Sequence, residues 1–328
     1  MTEAIDIVIP WVDGNDPVHS AKRHGFNTGS NEENLEDVGG SSRFTSIGEI
    51  FYCILSINRF ARFVRKIFIV TDSQDPHIEE ELSAMLPEGM IPMEIVDHKV
   101  IFRGYEEYLP IFNSRALEAM IWRIPGLSER FILMNDDFII TGNVGPELFF
   151  QGEKTICYAK MFPTWWAKLM RLLRPSRNGH KRISFKDSMI NAVEIMGGSD
   201  RFMFLGHTPR ALRKSFYEHF FAGREDVLLR NIRHKFRHYD QYNSQELFYI
   251  SEYKNGRCIV RNTSDNLIYL KPKNKKGYID RKLAMFDRRP DTVFCCVNAL
   301  SLASAEDQEK VMKWVRDRLI RTCVHDHR

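Results

Sequence analysis

The chain of 328 residues lacks the marks of several large protein classes. Its six cysteines (Cys53, Cys157, Cys258, Cys295, Cys296 and Cys323) show no metal-ligand spacing and fall short of the density of a small disulfide scaffold. Reduced thiols are therefore the expectation. No stretch approaches the roughly 20 apolar residues that a membrane span needs. The apolar run within Met1–Pro10 is short and has neither a charged leader nor a cleavage site, so no signal peptide is expected there. Internal repeats and low-complexity tracts are also missing. The net charge is only +4, which suits an anionic substrate without demanding nucleic acid.

What is present is enough to build a core. With 43% apolar and 27% charged residues, the chain can fold as one large domain or as one domain with a lobe. The stretch that organises it is Glu129-Arg130-Phe131-Ile132-Leu133-Met134-Asn135-Asp136-Asp137-Phe138-Ile139-Ile140. The first apolar run has the length of a buried strand. Burying two adjacent carboxylates without a partner would cost several kcal/mol per ion, roughly. Acids here are expected at a strand end, facing a cation, a cationic side chain or a cleft. In open α/β sheets, ligands collect at the carboxyl ends of strands. Hard oxygen ligands there suit Mg²⁺ or Mn²⁺ bridging a diphosphate. The plainer alternative is a turn with two solvated aspartates.

Before this stretch the patterns alternate. Ile5–Ile9 reads as a first strand and ends in the turn-rich Pro10-Trp11-Val12-Asp13-Gly14-Asn15-Asp16-Pro17. Asn27–Ser42 reads as a mobile loop, Ile47–Phe60 as a helix and Lys66–Thr71 as a second strand. Met93–Val96 reads as a third strand, and Asn113–Ile124 as a helix capped by Asn113 or Ser114. Such alternation predicts an α/β fold, a mostly parallel sheet flanked by helices.

After about Phe150 the character shifts. Trp165–Arg182 is basic and amphipathic, compatible with a membrane surface, an acidic chain, or simply a solvated helix face followed by a loop. Gly206-His207-Thr208-Pro209 precedes a helical pattern to about Phe221, with Thr208 as N-cap and Pro209 at the first helical position. His207 is thus expected at a helix N-terminus, where anions are favoured. Arg230–Tyr239 interleaves basic and aromatic residues, but no recognised nucleic-acid module surrounds it, so no nucleic-acid partner is expected. Short strands near Cys258–Val260 and Phe294–Val297 are expected to complete the sheet late in the chain. A last helix should open at Ser304 with Asp307 in a capping box. The expected division is an N-terminal α/β part over 1–150, a helical and basic part over 151–303, and a C-terminal amphipathic helix over 304–328.

Four groups of these residues resemble, in order, the conserved regions of the Stealth family of sugar-1-phosphate transferases. That family includes bacterial capsule and exopolysaccharide phosphotransferases and the catalytic subunit of the lysosomal N-acetylglucosamine-1-phosphotransferase. The first group is Ile5–Pro17. The second runs from Arg43-Phe44 and Gly48-Glu49 through Ile67–Asp72, Leu109–Ser114 and Ile124–Glu129 to Asn135-Asp136-Asp137. The third is Gly206–Pro209 followed by Lys235-Phe236-Arg237, and the fourth is Phe294–Asn298. One departure stands in the fourth group: the family usually places Asp after this Asn, and here the residue is Ala299. Its carboxylate is either dispensable or replaced by one such as Asp287 or Asp291.

The resemblance implies a Rossmann-like, GT-A-like fold and transfer of a hexose-1-phosphate, typically from a UDP-sugar, to a hydroxyl of a glycan acceptor. It assigns Asp136 and Asp137 to a Mg²⁺ or Mn²⁺ ion and the diphosphate. His207 becomes the general base or a phosphate partner, and Arg237 pairs with phosphoryl oxygens. Trp11, Asp13, Gly14 and Asp16 would line the nucleotide pocket with Arg43 and Asn113 nearby. It further implies work in the cytoplasm beside the inner membrane, and the basic amphipathic segments permit peripheral contact with that membrane. The competing reading is a GT-A-type glycosyltransferase that transfers the sugar alone and releases UDP.

Overall fold

In the computed structural model, residues 3–26, 48–173, 184–271, 275–289 and 291–321 are described. Their strands are β1 (Ile5–Pro10), β2 (Val64–Thr71), β3 (Met93–Asp97), β4 (Arg130–Leu133), β5 (Phe138–Ile140), β6 (Phe150–Gln151), β7 (Lys154–Pro163), β8 (Arg201–Leu205), β9 (Arg210–Arg213), β10 (Cys258–Arg261), β11 (Leu267–Leu270) and β12 (Phe294–Val297). The principal sheet has the order β3-β2-β1-β4-β9. Its first four strands run parallel, and β9 adds antiparallel to β4 at the edge. The fold is α/β with a mostly parallel central sheet, as the alternating patterns predict.

The β-branched run of β1 explains its central place. Ile7 and Ile9 join one hydrophobic cluster with the helix Glu49–Phe60, whereas Val8 joins a second cluster with Phe68, Val70, Phe131 and Leu133. Successive side chains of a strand point to opposite faces, so a continuous apolar run fits only a strand covered on both sides. Asp6, fully buried in β1, is held by Arg65 Nε at 2.9 Å and Nη2 at 2.6 Å and by the Ser128 amide at 2.7 Å. These charge-assisted bonds compensate a carboxylate that would otherwise be costly inside a sheet.

Both clusters draw on residues from either side of Phe150, so that position does not divide two cores. The first cluster includes Val311, Val315 and Leu319 of the helix Ala305–Arg321, and the second includes Met189 and Phe248. Ser304 caps that last helix, its Oγ accepting from the Asp307 amide at 3.2 Å, the first of the two bonds of the expected capping box.

Three expectations change. The late strands do not extend the principal sheet: β10 pairs with β7, and β12 lies between β11 and β5 in a separate three-stranded sheet. The helix expected over 113–124 is short, Ser114–Glu118, followed by a 3₁₀ turn at Ile121–Arg123. Thr208 and Pro209 do not open a helix. Arg210–Arg213 pairs with β4, Leu133 opposite Arg210 and Arg130 opposite Arg213, and the helix begins only at Lys214. Pairing with an unfilled sheet edge overrides the local N-cap signal, and Pro209, which has no N–H to donate, precedes the ladder.

Candidate active site

The acidic doublet sits where the chain leaves one sheet for another. β4 ends at Leu133, and the Met134 amide still donates to Val8 O at 3.0 Å. Asn135-Asp136-Asp137 then turns, closed by Phe138 N to Asn135 O at 3.1 Å, and β5 pairs with β12. The carboxylates therefore stand at the carboxyl edge of the principal sheet, bracketed by the end of β12. From β12, the Val297 amide donates to Asp137 O at 2.9 Å. Asn298 Nδ2 donates to Asp137 Oδ2 at 3.2 Å and the Cys296 thiol to the same oxygen at 3.5 Å. Asp137 Oδ1 is buried without a hydrogen-bond partner.

The electrostatics of this turn favour a cation. Burial, the neighbouring Asp137 and Glu49 together push Asp136 up to about 8. Burial also raises Asp137, against the lowering effect of its bonds from Asn298 and Cys296. A half-buried acid pair with a third carboxylate nearby and an orphaned oxygen is unfavourable in its ionised form. A hard divalent cation such as Mg²⁺ or Mn²⁺ fits this oxygen set.

His207 is tied to the doublet through side chains of the other sheet. Its ring stacks on Tyr269, centroids 4.7 Å apart. Tyr269 Oη donates to Asn298 Oδ1 at 3.0 Å, and Asn298 in turn holds Asp137. Burial, Arg210 and Lys271 hold the imidazole down to about 4, so it is neutral near pH 7 and able to accept a proton. The preceding Gly206 has no room for a side chain: a Cβ there would stand 2.1 Å from Thr263 Cγ2. His207 does not sit at a helix N-terminus, as expected from sequence; the loop between β8 and β9 carries it.

The loop after β1 forms a second group. Gln74, beyond β2, receives a hydrogen bond from the Asp13 amide at 3.0 Å and donates to Asp13 O at 2.9 Å and Asp16 Oδ2 at 2.8 Å. Asp13 Oδ1 also accepts from Asn15 N, and Asp16 Oδ1 from Val18 N at the start of the helix Pro17–Phe26. Much of the carboxylate capacity of Asp13 and Asp16 thus shapes the loop itself. Trp11 is buried in the first hydrophobic cluster, and Gly14 lies in the turn. Val12 packs on Phe112 and Phe236, whose rings stack 5.4 Å apart. Asn113 caps the helix Ser114–Glu118 and donates to His234 O at 2.7 Å and Phe236 O at 3.2 Å. Asn113 therefore stitches 112–114 to 234–236. Arg237 Nη2 donates to Ser114 Oγ at 3.3 Å.

Contacts thus collect the expected residues into two groups: Asp136, Asp137 and His207 in one, the Trp11–Asp16 loop with Asn113 and Arg237 in the other. The groups follow β4 and β1, which are adjacent parallel strands, so both open on the same edge. Arg43 and the loop expected over 27–42 lie outside the described residues. Sequence reasoning gave no role to Tyr269, Asn298, Gln74, Glu49 or Arg210. Asn298 carried a signal: it follows an apolar strand as Asn135 does. His98 was missed as well; it follows β3 at this edge, buried, with neither ring nitrogen bonded, and is held down to about 4 by burial.

Among the described residues, His234, His238 and Asp240 form a second group able to hold a metal. There Asp240 Oδ2 meets Arg233 at 2.5 Å and Oδ1 meets His234 Nε2 at 2.9 Å, while the two imidazoles stack 4.0 Å apart. Three cationic or donor groups already satisfy that carboxylate. A cavity of about 610 Å³ that includes Glu129, Arg213 and Arg257 opens at the opposite, amino end of β4, away from all these residues.

Two comparisons bear on the family. Residues 3–30 match Stealth protein conserved region 1 and residues 43–158 match conserved region 2. The chain is 31% identical over 214 residues to a capsular polysaccharide phosphotransferase of Actinobacillus suis, covering 65% of this chain and 54% of that protein. It is 30% identical over 233 residues to a capsular polysaccharide phosphotransferase of Actinobacillus pleuropneumoniae, covering 71% and 60%. An exopolysaccharide phosphotransferase of Streptomyces coelicolor aligns over 92% of this chain and 48% of its own length at 29% identity. The chain spans about half the length of the curated relatives it matches. Among solved structures, mouse xyloside xylosyltransferase 1 is a distant likeness, with a TM-score of 0.42 at 14% identity over 89% of this chain and 97% of that one. By its two conserved regions and its phosphotransferase relatives, the chain belongs to the Stealth family.

Proposed function

We propose that this protein transfers a hexose-1-phosphate from a nucleotide sugar, a UDP-sugar by the family pattern, to a hydroxyl of a glycan acceptor in capsule or exopolysaccharide synthesis. The observation that carries the reading is the chain of contacts from the acidic doublet through Asn298 and Tyr269 to a neutral histidine. The names of the relatives support it, all of them polysaccharide phosphotransferases.

In this reading the acceptor oxygen bonds to the sugar-bearing phosphorus, the bond from that phosphorus to the bridging oxygen breaks, and UMP leaves. The sugar's anomeric bond stays intact. Asp136 and Asp137 would hold a divalent cation, which when bound supplies charge to stabilise the diphosphate and its leaving group. Asn298 and Cys296 occupy Asp137 Oδ2 and so leave Oδ1 for that ion. His207 takes the acceptor's proton; its depressed basicity keeps it unprotonated and ready at neutral pH. Arg237, a fixed planar cation, pairs with phosphoryl oxygens. The loop Trp11–Asp16, clamped by Gln74, borders the nucleotide.

The test is incubation with a panel of nucleotide sugars, Mg²⁺ and glycan acceptors, followed by ³¹P NMR and identification of the released nucleotide. A new phosphodiester resonance with UMP is expected. UDP together with a phosphorus-free product would overturn the reading in favour of a glycosyltransferase.

A further inference from the structure

The helix Thr164–Leu173 is mounted with its apolar side outward. Trp165, Trp166, Leu169, Met170, Leu172 and Leu173 are exposed, from 39% for Leu169 to 82% for Leu172. Positions 165, 166, 169, 172 and 173 share one helical face. The polar positions face the protein instead. Lys168 Nζ pairs with Glu194 at 3.1 Å, and Arg171 bonds Asn191 Oδ1 at 3.0 Å and Glu194 at 3.3 Å, all on the helix Phe185–Ile195. Ala167 packs on the core, and the Thr164 amide donates to Asp200 O at 2.8 Å. The helix is therefore anchored by its cations and small residues, and six large apolar side chains are left in water. A contiguous apolar surface of this kind marks a contact site.

We propose that this face seats on an anionic lipid bilayer, the helix lying in the plane of the interface. The charge pattern selects this occupant. The helix holds no acidic residue, and the sequence that follows it, 174–183, carries Arg174, Arg177, Lys181 and Arg182 without one acid. A second copy of the face would bring like charges together, whereas anionic headgroups attract them. Paired aromatic residues suit the headgroup boundary, and Trp165 and Trp166 stand edge to face at 5.7 Å. Attachment would be peripheral, since no helix among the described residues is long and apolar enough to cross a membrane. The inference rests on the mounting of one helix and is independent of the transferase reading.

The experiment mixes the full chain with phosphatidylglycerol–phosphatidylcholine vesicles, and separately with phosphatidylcholine vesicles, and reads sedimentation and tryptophan emission at low and high salt. The wild type is expected to bind the anionic vesicles with a blue-shifted emission. Trp165→Ser combined with Leu172→Ser should lower the partition coefficient roughly tenfold or more while leaving the circular dichroism spectrum unchanged. The proposal is overturned if the wild type stays in the supernatant, or if the double variant binds as well as the wild type. It is equally overturned if the wild type is a dimer that the double variant converts to a monomer, which would give the face to a second copy.

Discussion

Binding of a divalent cation at the Asp136–Asp137 turn should release a proton, and the amount follows from the acid's environment. Burial, Asp137 and Glu49 push Asp136 up to about 8 from the ordinary 3.8. At pH 7 the pair therefore holds about 0.9 proton at this position, and at pH 9 about 0.1, by simple titration of one group. A cation must displace that proton, so its apparent affinity should rise roughly tenfold per pH unit up to about pH 8 and then level off. The stability of the cation-free protein moves in the opposite sense. Because the folded-state value lies above the unfolded one, the unfolded chain gives up the proton first. Stability is therefore lost as pH climbs from about 4 to 8, by on the order of 5 kcal/mol if the whole displacement is realised. Calorimetric titration with Mg²⁺ at pH 7, in two buffers of different ionisation enthalpy, counts the protons directly. Asp136→Asn should abolish the buffer dependence and weaken binding. Tight binding with buffer-independent heat would refute the reasoning, since the acids would then be already ionised or not ligands. A cation that fails to bind even beside a UDP-sugar would remove the metal from the site.

His207→Ala should cut turnover by ~10²–10³ while leaving the protein folded, and near-normal activity would end its role as base. The same variant should flatten the stability profile between about pH 6.5 and 4. With the folded-state value depressed to about 4, the unfolded chain takes up the proton first as pH falls, and up to about 3 kcal/mol is lost across that window. Gly206→Ala should destabilise by about 1–3 kcal/mol through the clash with Thr263, and adding Thr263→Ala should recover most of it; denaturant melts of the two variants decide. Ala299 has φ +52°, a left-handed conformation costly for a residue with a Cβ, so Ala299→Gly should raise the denaturation midpoint by an amount worth about 1 kcal/mol. An unchanged or lowered midpoint would show that the strain is absent.

The same position explains part of what the sequence could and could not disclose. An Asp following Asn298, which the family resemblance leads one to expect there, would tolerate the left-handed region better than Ala does. The departure at Ala299 thus has a backbone aspect as well as a missing carboxylate. Asp287 and Asp291, considered as replacements for that carboxylate, are both exposed. What was legible came from local pattern: continuous β-branched runs gave the parallel strands, and the polar doublet ending one of them marked the sheet's carboxyl edge. What was not legible depended on which edge a segment finds free. Thr208-Pro209 has the local chemistry of a helix start, yet the open side of β4 captures Arg210–Arg213 as a strand.

The site residues divide along the same line. Asp136, Asp137 and His207 could be named because each stands in a short, distinctive stretch, but nothing local says that other side chains connect them. They are linked by Tyr269 on β11 and Asn298 just after β12, which sit 132 or more positions after the doublet by sequence number, with Tyr269 Oη bonded to Asn298 Oδ1 at 3.0 Å. Their role exists only once β5 leaves the principal sheet and pairs with β12. Asn113 and Asp16, both expected beside the nucleotide, spend polar atoms on helix starts, Asn113 on Ala116, as its N-cap reading anticipated, and Asp16 on Val18. A short polar side chain before a helix satisfies free backbone amides first. Their bonded partners make loop rigidity, rather than direct contact, the main effect of replacing either one. Asp16→Ala should therefore act through the Gln74 clamp and the entry to the helix Pro17–Phe26, raising the KM for the nucleotide sugar more than it lowers kcat. A fall in kcat at unchanged KM would instead require Asp16 to act on the reacting phosphate.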